Sequence, residues 1–300
     1  MRVAVVTNFK AGAANRITPD SIRAALQAAG AQCELCESHG PDLLDATRRA
    51  IAHRPDAIVA AGGDGTISSV VSLLIETDIP LGIIPAGTLN HFAKDLRLPL
   101  DLDGAVRVIT AQQIHAVDVG AVNGRIFINN SSIGIYPQIV QKRDEIRQRL
   151  GRNKWIAMLM AFLNVFKRYP TINVRIDSDH LAFKRDTPFV FIGNNRYEFS
   201  LNMMGKRPTL DRHVLSVYFT NRTGRFGLFR LALRAVLGHL NQDKDFQSLD
   251  VEEFWIDANR PQLRVALDGE VLRLVPPLHY QTRPSALKVL LPPSEPSPAP

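Results

Sequence analysis

One pentapeptide limits the folds open to this chain more than any other stretch: Gly62-Gly63-Asp64-Gly65-Thr66, preceded by the apolar run Ala57-Ile58-Val59-Ala60-Ala61. The run is short and bounded, as a buried strand is, and after the glycines Ile67, Val70, Val71 and Leu74 recur at helical spacing. Strand, tight turn and helix in that order make phosphate-binding architecture, because glycines admit the backbone to an anion and the free N–H groups of a helix start point at it. Thr66 adds a hydroxyl donor and Asp64 a negative charge. A carboxylate inside an anion site repels its ligand unless a cation lies between them, so the stretch implies a nucleotide carrying Mg²⁺. Taken by themselves, the same glycines also read as an ordinary turn joining strand to helix.

The flanking sequence repeats the pattern. Strands are expected at residues 3–7, near Cys33, at 57–61 and at 81–85, with helices at 19–29, 43–53, 67–76 and 90–96. Apolar strands alternating with helices predict a parallel sheet covered on both faces, a Rossmann-like α/β domain that binds ligands at the C-terminal ends of its strands. Ala86-Gly87-Thr88 is a second turn of the same kind, and Asn8-Phe9-Lys10-Ala11-Gly12 ends the first strand on the same edge. From about Val117 the sequence changes to short runs suited to antiparallel strands, at 125–129, 172–176, 189–192, 214–220, 254–257, 263–267 and 287–291. The expected division is an α/β domain over residues 1–116, a β-rich domain over 117–291, and a Pro-rich tail over 292–300 that cannot build a core. Within the β-rich part, Leu267-Asp268-Gly269-Glu270 sets two acids about a glycine just after a predicted strand, a sequence that is also a common hairpin turn.

Charge and cysteine content remove several classes. The 36 Lys and Arg against 29 Asp and Glu give a net charge of +7 and a pI near 9.6, which suits nucleic acid, acidic lipid headgroups or a polyphosphate. The acids at the phosphate turns, and the lack of a binding motif with interleaved aromatics, argue against nucleic acid. The N-terminal apolar run is too short for a signal segment and no stretch is long enough to span a bilayer, so a cytoplasmic chain is expected. Cys33 and Cys36 form a single C-x-x-C on a predicted strand; zinc would need a second ligand pair and thioredoxin chemistry a helix start. Residues 141–168 hold eight basic and two acidic residues around the apolar core Trp155-Ile156-Ala157-Met158-Leu159-Met160-Ala161-Phe162-Leu163. That segment suits either peripheral contact with an anionic membrane or packing on the β domain.

Three motifs in order, Gly62-Gly63-Asp64-Gly65-Thr66, Pro85-Ala86-Gly87-Thr88-Leu89-Asn90-His91-Phe92-Ala93 and Asp268-Gly269-Glu270, resemble the bacterial diacylglycerol kinase and sphingosine kinase family of lipid kinases. The resemblance runs from Asn8 to the strand at 287–291. It implies an α/β nucleotide domain, a C-terminal β-sandwich domain, and ATP meeting a lipid substrate in the cleft between them. It also implies that Asn8, Lys10, Gly62, Gly63, Gly65, Thr66, Gly87, Thr88 and Asn90 bind the nucleotide, that Asp64 holds Mg²⁺, and that Glu270 is the general base with Asp268 supporting metal or orientation. Asp64 remains a competitor for the base role.

Departures from the family pattern bear on these roles. Asn8-Phe9-Lys10-Ala11-Gly12 replaces Asn-Pro-x-Ser-Gly, and His91 stands where many relatives have Asp. In Asp211-Arg212-His213 an arginine occupies the place of a ligand to a structural metal, which argues against that metal and for Arg212 as its substitute. An NAD kinase shares the first turn but not the second, and a relative that binds nucleotide or lipid without turnover also fits the motifs.

Overall fold

The computed structural model describes residues 1–8, 17–38, 42–134, 172–178, 181–200, 203–220 and 246–293. They form two units, Met1–Val119 with Pro284–Pro300, and Gly120–Arg283. Lys10, the basic and apolar stretch 141–168 and the end of the tail from 294 lie outside the described residues.

In the first unit strands and helices alternate as β1 (Arg2–Thr7), α1 (Pro19–Ala28), β2 (Gln32–Glu37), α2 (Leu43–Ala52), β3 (Ala57–Gly62), α3 (Asp64–Leu74), β4 (Leu81–Pro85), α4 (His91–Asp95) and α5 (Leu102–Ala111). Sequence chemistry explains where the helices start. The Thr18 hydroxyl accepts the Ser21 N–H at 3.1 Å while the Ser21 hydroxyl accepts the Thr18 N–H at 2.8 Å, with Pro19 in the first turn of α1. Asp101 caps α5, a helix that strand-and-motif reading passed over, by accepting the Gly104 N–H at 2.7 Å. The strands run parallel in the order β2-β1-β3-β4. Every residue of β3 and β4 is buried, as strands covered on both faces must be.

β5 (Ile114–Val122) leads into the second unit, made of β6 (Arg125–Phe127), β7 (Asn130–Gly134), β8 (Ile172–Ser178), β9 (Leu181–Thr187), β10 (Phe189–Asn194), β11 (Glu198–Ser200), β12 (Met203–Lys206), β13 (Leu215–Thr220), β14 (Phe246–Val251), β15 (Glu253–Asp257), β16 (Leu263–Leu267), β17 (Glu270–Leu274) and the start of β18 (Leu278–Leu290). One antiparallel sheet runs β14-β13-β10-β7-β16-β17; against it pack β18, β15, β8 and β9 with β5 and β6. Alternate residues of the two layers, among them Ile133, Ile192, Val217 and Val265 from one and Val174, Phe254, Ile256 and Tyr280 from the other, make a single core. This is the expected β-sandwich. Phe254 stacks on Tyr280 at 5.0 Å, and the Tyr280 hydroxyl meets the Ser131 hydroxyl at 2.9 Å, so the one polar end of that ring is satisfied.

The division into consecutive segments 1–116 and 117–291 needs correction at its C-terminal end. From Pro284 the chain belongs to the first unit. There Val289 of β18 pairs in parallel with Leu81 of β4, and Leu290 joins the core of Val5, Val59 and Ile84. A strand buried in a parallel sheet and one buried in a sandwich have the same apolar sequence, so composition did not separate them.

Candidate functional site

Two turns at the C-terminal ends of β3 and β4 are built against each other. Gly63 caps α3 in extended conformation, and its carbonyl accepts the N–H groups of Thr66 at 2.9 Å and Ile67 at 3.1 Å. A Cβ on Gly87 would lie 2.5 Å from the Gly63 Cα, so only glycine allows this approach. Across the contact the Ala86 N–H donates to the Gly62 carbonyl at 2.9 Å. Asn90, at φ +51°, closes the second turn: its Oδ1 accepts the Gly87 N–H and its Nδ2 donates to the Gly87 carbonyl, both at 3.0 Å. The buried amide of Asn90 thus holds the second turn in shape through Oδ1 and one of its two N–H donors.

Asp64 joins the turns a third time, its Oδ1 accepting the Phe92 N–H at 3.1 Å. Thr66 is buried, with its hydroxyl side against Gly62, where a Cβ would meet Oγ1 at 2.5 Å. Thr88 is exposed on the second turn and Asn8 half-buried after β1. Gly65 differs from the other glycines of the site. It lies in the first turn of α3 and a Cβ there would meet nothing within 4 Å. No packing demand among the described residues explains this glycine, and its open face at a helix N-terminus suits an anion.

A further group at this edge escaped sequence reading. Ser38 follows β2 beside Asn8, with its N–H donating to the Thr7 carbonyl at 2.9 Å, and its buried Oγ has no hydrogen-bond partner among the described residues. Nothing in its tripeptide Glu37-Ser38-His39 marks it.

In the second unit, Asp268 and Gly269 are the two residues of the β16–β17 turn, with φ of +47° and +91° and Leu267 paired to Glu270. Positive φ at both positions is the type I′ hairpin that Asp-Gly favours. The Asp268 carboxylate accepts the N–H groups of Ile128 at 2.9 Å, Asn129 at 2.8 Å and Asn130 at 3.1 Å. On the opposite side of the same segment, Arg207, only 2% exposed, donates to the Ile128 carbonyl at 2.6 Å, the Asn194 carbonyl at 3.1 Å and the Asn129 Oδ1 at 2.7 Å. Carboxylate and guanidinium thus hold residues 128–130 from their N–H and C=O sides, and the hairpin carries Glu270 exposed at its base. Asp268 is thereby an orienting residue. Arg207 had no sequence signal beyond being one of many basic residues.

The loop expected to bind or replace a structural metal is held differently. Asn195 Oδ1 accepts the Arg212 N–H at 2.9 Å, and the Arg212 guanidinium is in no ion pair among the described residues. A neighbouring amide thus fixes the backbone of this loop at Arg212. Among the described residues no group of three or more His, Cys, Asp and Glu is placed to hold a metal ion. For Mg²⁺ at the glycine turns, the donor set is the carboxylate of Asp64 with one oxygen already engaged. A single carboxylate fits a hard cation that arrives with nucleotide phosphates, and does not make a site that would keep the ion without them. Cys33 and Cys36 lie on β2 as free thiols, both pushed above the ordinary thiol range chiefly by burial.

A parallel sheet whose strand ends carry two interlocked glycine turns and a helix N-terminus defines the class: a phosphate-binding α/β domain. More particularly, residues 2–122 match the diacylglycerol kinase catalytic domain. Over 162 residues it is 35% identical to a diacylglycerol kinase of Staphylococcus haemolyticus, covering 52% of this chain and 47% of that one. A diacylglycerol kinase of Staphylococcus aureus is 33% identical over 162 residues, covering 52% and 50%. The chain thus spans about half the length of the curated relatives it matches. A solved diacylglycerol kinase of Bacillus anthracis has the same fold, with a TM-score of 0.69 at 20% identity over 98% of this chain and 97% of that one. A second Bacillus anthracis structure gives 0.74 at 24% identity, covering 98% of each. No helix among the described residues is long and apolar enough to cross a membrane.

Proposed function

We propose that this chain is an ATP- and Mg²⁺-dependent lipid kinase, transferring the γ-phosphate to the hydroxyl of diacylglycerol or a related lipid. The observation that carries the reading is the pair of turns locked through Gly63 and Gly87, with the open face of Gly65 over the N-terminus of α3, in a segment that matches the diacylglycerol kinase catalytic domain. Backbone N–H groups there receive phosphate oxygens without rearrangement, which is the electrostatic preorganisation phosphoryl transfer depends on. Asp64 and the phosphates hold Mg²⁺, which neutralises charge on the transferred group. Asn8, Thr66 and Thr88 add polar contacts, and Lys10 a cation.

Glu270 accepts the proton of the lipid hydroxyl. Its backbone is fixed by a hairpin whose turn residue is bonded three times over, and a proton acceptor needs positioning more than it needs neighbours. Asp64 is the weaker base, because a carboxylate bound to Mg²⁺ loses proton affinity. The membrane is met peripherally and no nucleic acid is bound. The test is a screen for transfer of radiolabelled phosphate from ATP to diacylglycerol, monoacylglycerol, ceramide, sphingosine and phosphatidylglycerol, with and without Mg²⁺. Labelled lipid formed only with Mg²⁺ is expected; nucleotide binding with no labelled lipid in any lane overturns the kinase reading.

A further inference from the structure

We infer that the second unit carries a separate binding site for a phosphate group, in a concavity of about 230 Å³ walled by Arg196, Glu198, Pro208, Thr209 and Arg212. None of these residues belongs to the glycine turns or to the Asp268–Glu270 hairpin.

The wall stands on a fixed base, because exposed wall residues alternate with buried, bonded ones. Asn195 is fully buried; its N–H donates to the Val214 carbonyl at 3.0 Å and its Oδ1 accepts the Arg212 N–H at 2.9 Å. The Tyr197 N–H donates to the Tyr218 hydroxyl at 3.0 Å, and the Tyr197 hydroxyl donates to the Asn129 carbonyl at 3.1 Å. Arg207, immediately before Pro208, is anchored by the three bonds described above. Arg196 and Arg212 therefore start from defined backbone positions, and less ordering is left for a ligand to impose.

Charge then selects the ligand. Neither the Arg196 nor the Arg212 guanidinium is in an ion pair among the described residues. Glu198 is the one acid on the wall, and Lys206 lies directly across the β11–β12 ladder from it, on the same face, where it offsets that charge. Three cations against one carboxylate leave a surplus of two positive charges, the complement of a phosphate monoester. Two guanidinium forks match phosphate oxygens in pairs, and the Thr209 hydroxyl supplies a further donor. Such a set repels a metal ion and offers an apolar ligand little surface. The phosphate can belong to a lipid headgroup such as phosphatidic acid or to a small soluble compound; the site recognises the group they share.

Two experiments on the full chain separate these sources. In one, thermal stability is followed as inorganic phosphate is added. In the other, binding is measured to phosphatidylcholine vesicles with and without phosphatidic acid. Both use the wild type, the pair Arg196→Gln with Arg212→Gln, and a charge-matched control pair, Arg175→Gln with Lys184→Gln, on β8 and β9. The expected result is a response in at least one arm that falls by roughly 10- to 30-fold in the site pair and stays near wild type in the control; the responding arm names the source. No response in either arm, or equal loss in both pairs, overturns the site. Both readouts are independent of turnover, so a failure of the kinase reading leaves them interpretable.

Discussion

Gly65 is the residue of the glycine turns that packing among the described residues explains least. Alanine in a helix interior is about 1 kcal/mol better than glycine, and the space for its methyl group is open. Gly65→Ala is therefore expected to leave the melting temperature unchanged or raised while weakening ATP binding by tenfold or more; titration calorimetry beside a melting curve reads both, and unaltered ATP affinity removes the phosphate from this helix end. Asp64 calls for a paired test because it has two roles. Asp64→Asn keeps an acceptor for the Phe92 N–H and removes the charge, so turnover should collapse with the fold intact; Asp64→Ala should in addition lower stability. Glu270→Gln is expected to lower kcat by roughly 10²–10⁴-fold with little change in ATP affinity. If its turnover is normal, Asp64 becomes the leading proton acceptor.

At the scale of elements, what the sequence made legible follows what the local chemistry forced. Apolar runs of strand length and an Asp-Gly turn each have one cheap solution, and each is present. Cys33 and Cys36 stand three residues apart on β2, which puts them on opposite faces of the strand. What was not legible depends on partners far along the chain. That the Asn90 amide closes its own turn shows only in the fold, and Arg207 acquires its role from carbonyls 13 and 79 residues away. Arg207→Met leaves those acceptors buried and unsatisfied, at about 1–3 kcal/mol apiece. Urea midpoints should therefore fall in the order wild type, Arg207→Lys, Arg207→Met, and equal midpoints would deny Arg207 its structural role.

The β2 thiols also fix a pH dependence. Burial raises both above the ordinary thiol value of about 9.0, so above that pH the unfolded chain releases thiol protons that the folded chain keeps. The unfolded state then binds fewer protons, and stability declines as pH rises from about that value through the higher folded values. Urea midpoints measured across this alkaline range should fall less steeply once both cysteines are replaced by alanine. An identical slope would assign the decline to other groups, of which buried Tyr218 and Tyr280, also raised by burial, are the next.

At the scale of the molecule, the return of the chain to its first unit decides how the protein can be divided. β18 serves both units: Leu278 and Tyr280 lie in the core of the second, and Leu287, Val289 and Leu290 are buried where β18 meets β4. Burying such side chains is worth about 1.5–3 kcal/mol each, so losing three removes an amount comparable with the 5–15 kcal/mol that holds a whole domain together. It also leaves β4, apolar at nearly every position, as an unpaired edge open to aggregation. A fragment cut at the boundary the motifs imply, residues 1–116, lacks that strand and should be insoluble or fail to bind ATP. The sharper comparison is between chains ending at Arg283 and at Pro293. The first keeps every described strand of the second unit but deletes the segment paired with β4; the second keeps β18 whole. The chain ending at Pro293 is expected to melt and bind nucleotide as the full chain does, whereas the chain ending at Arg283 should lose nucleotide binding and become protease-sensitive within residues 1–119. Nucleotide binding of full strength by the shorter chain would mean that the parallel sheet is complete without β18, and that this strand's place in the first unit is dispensable.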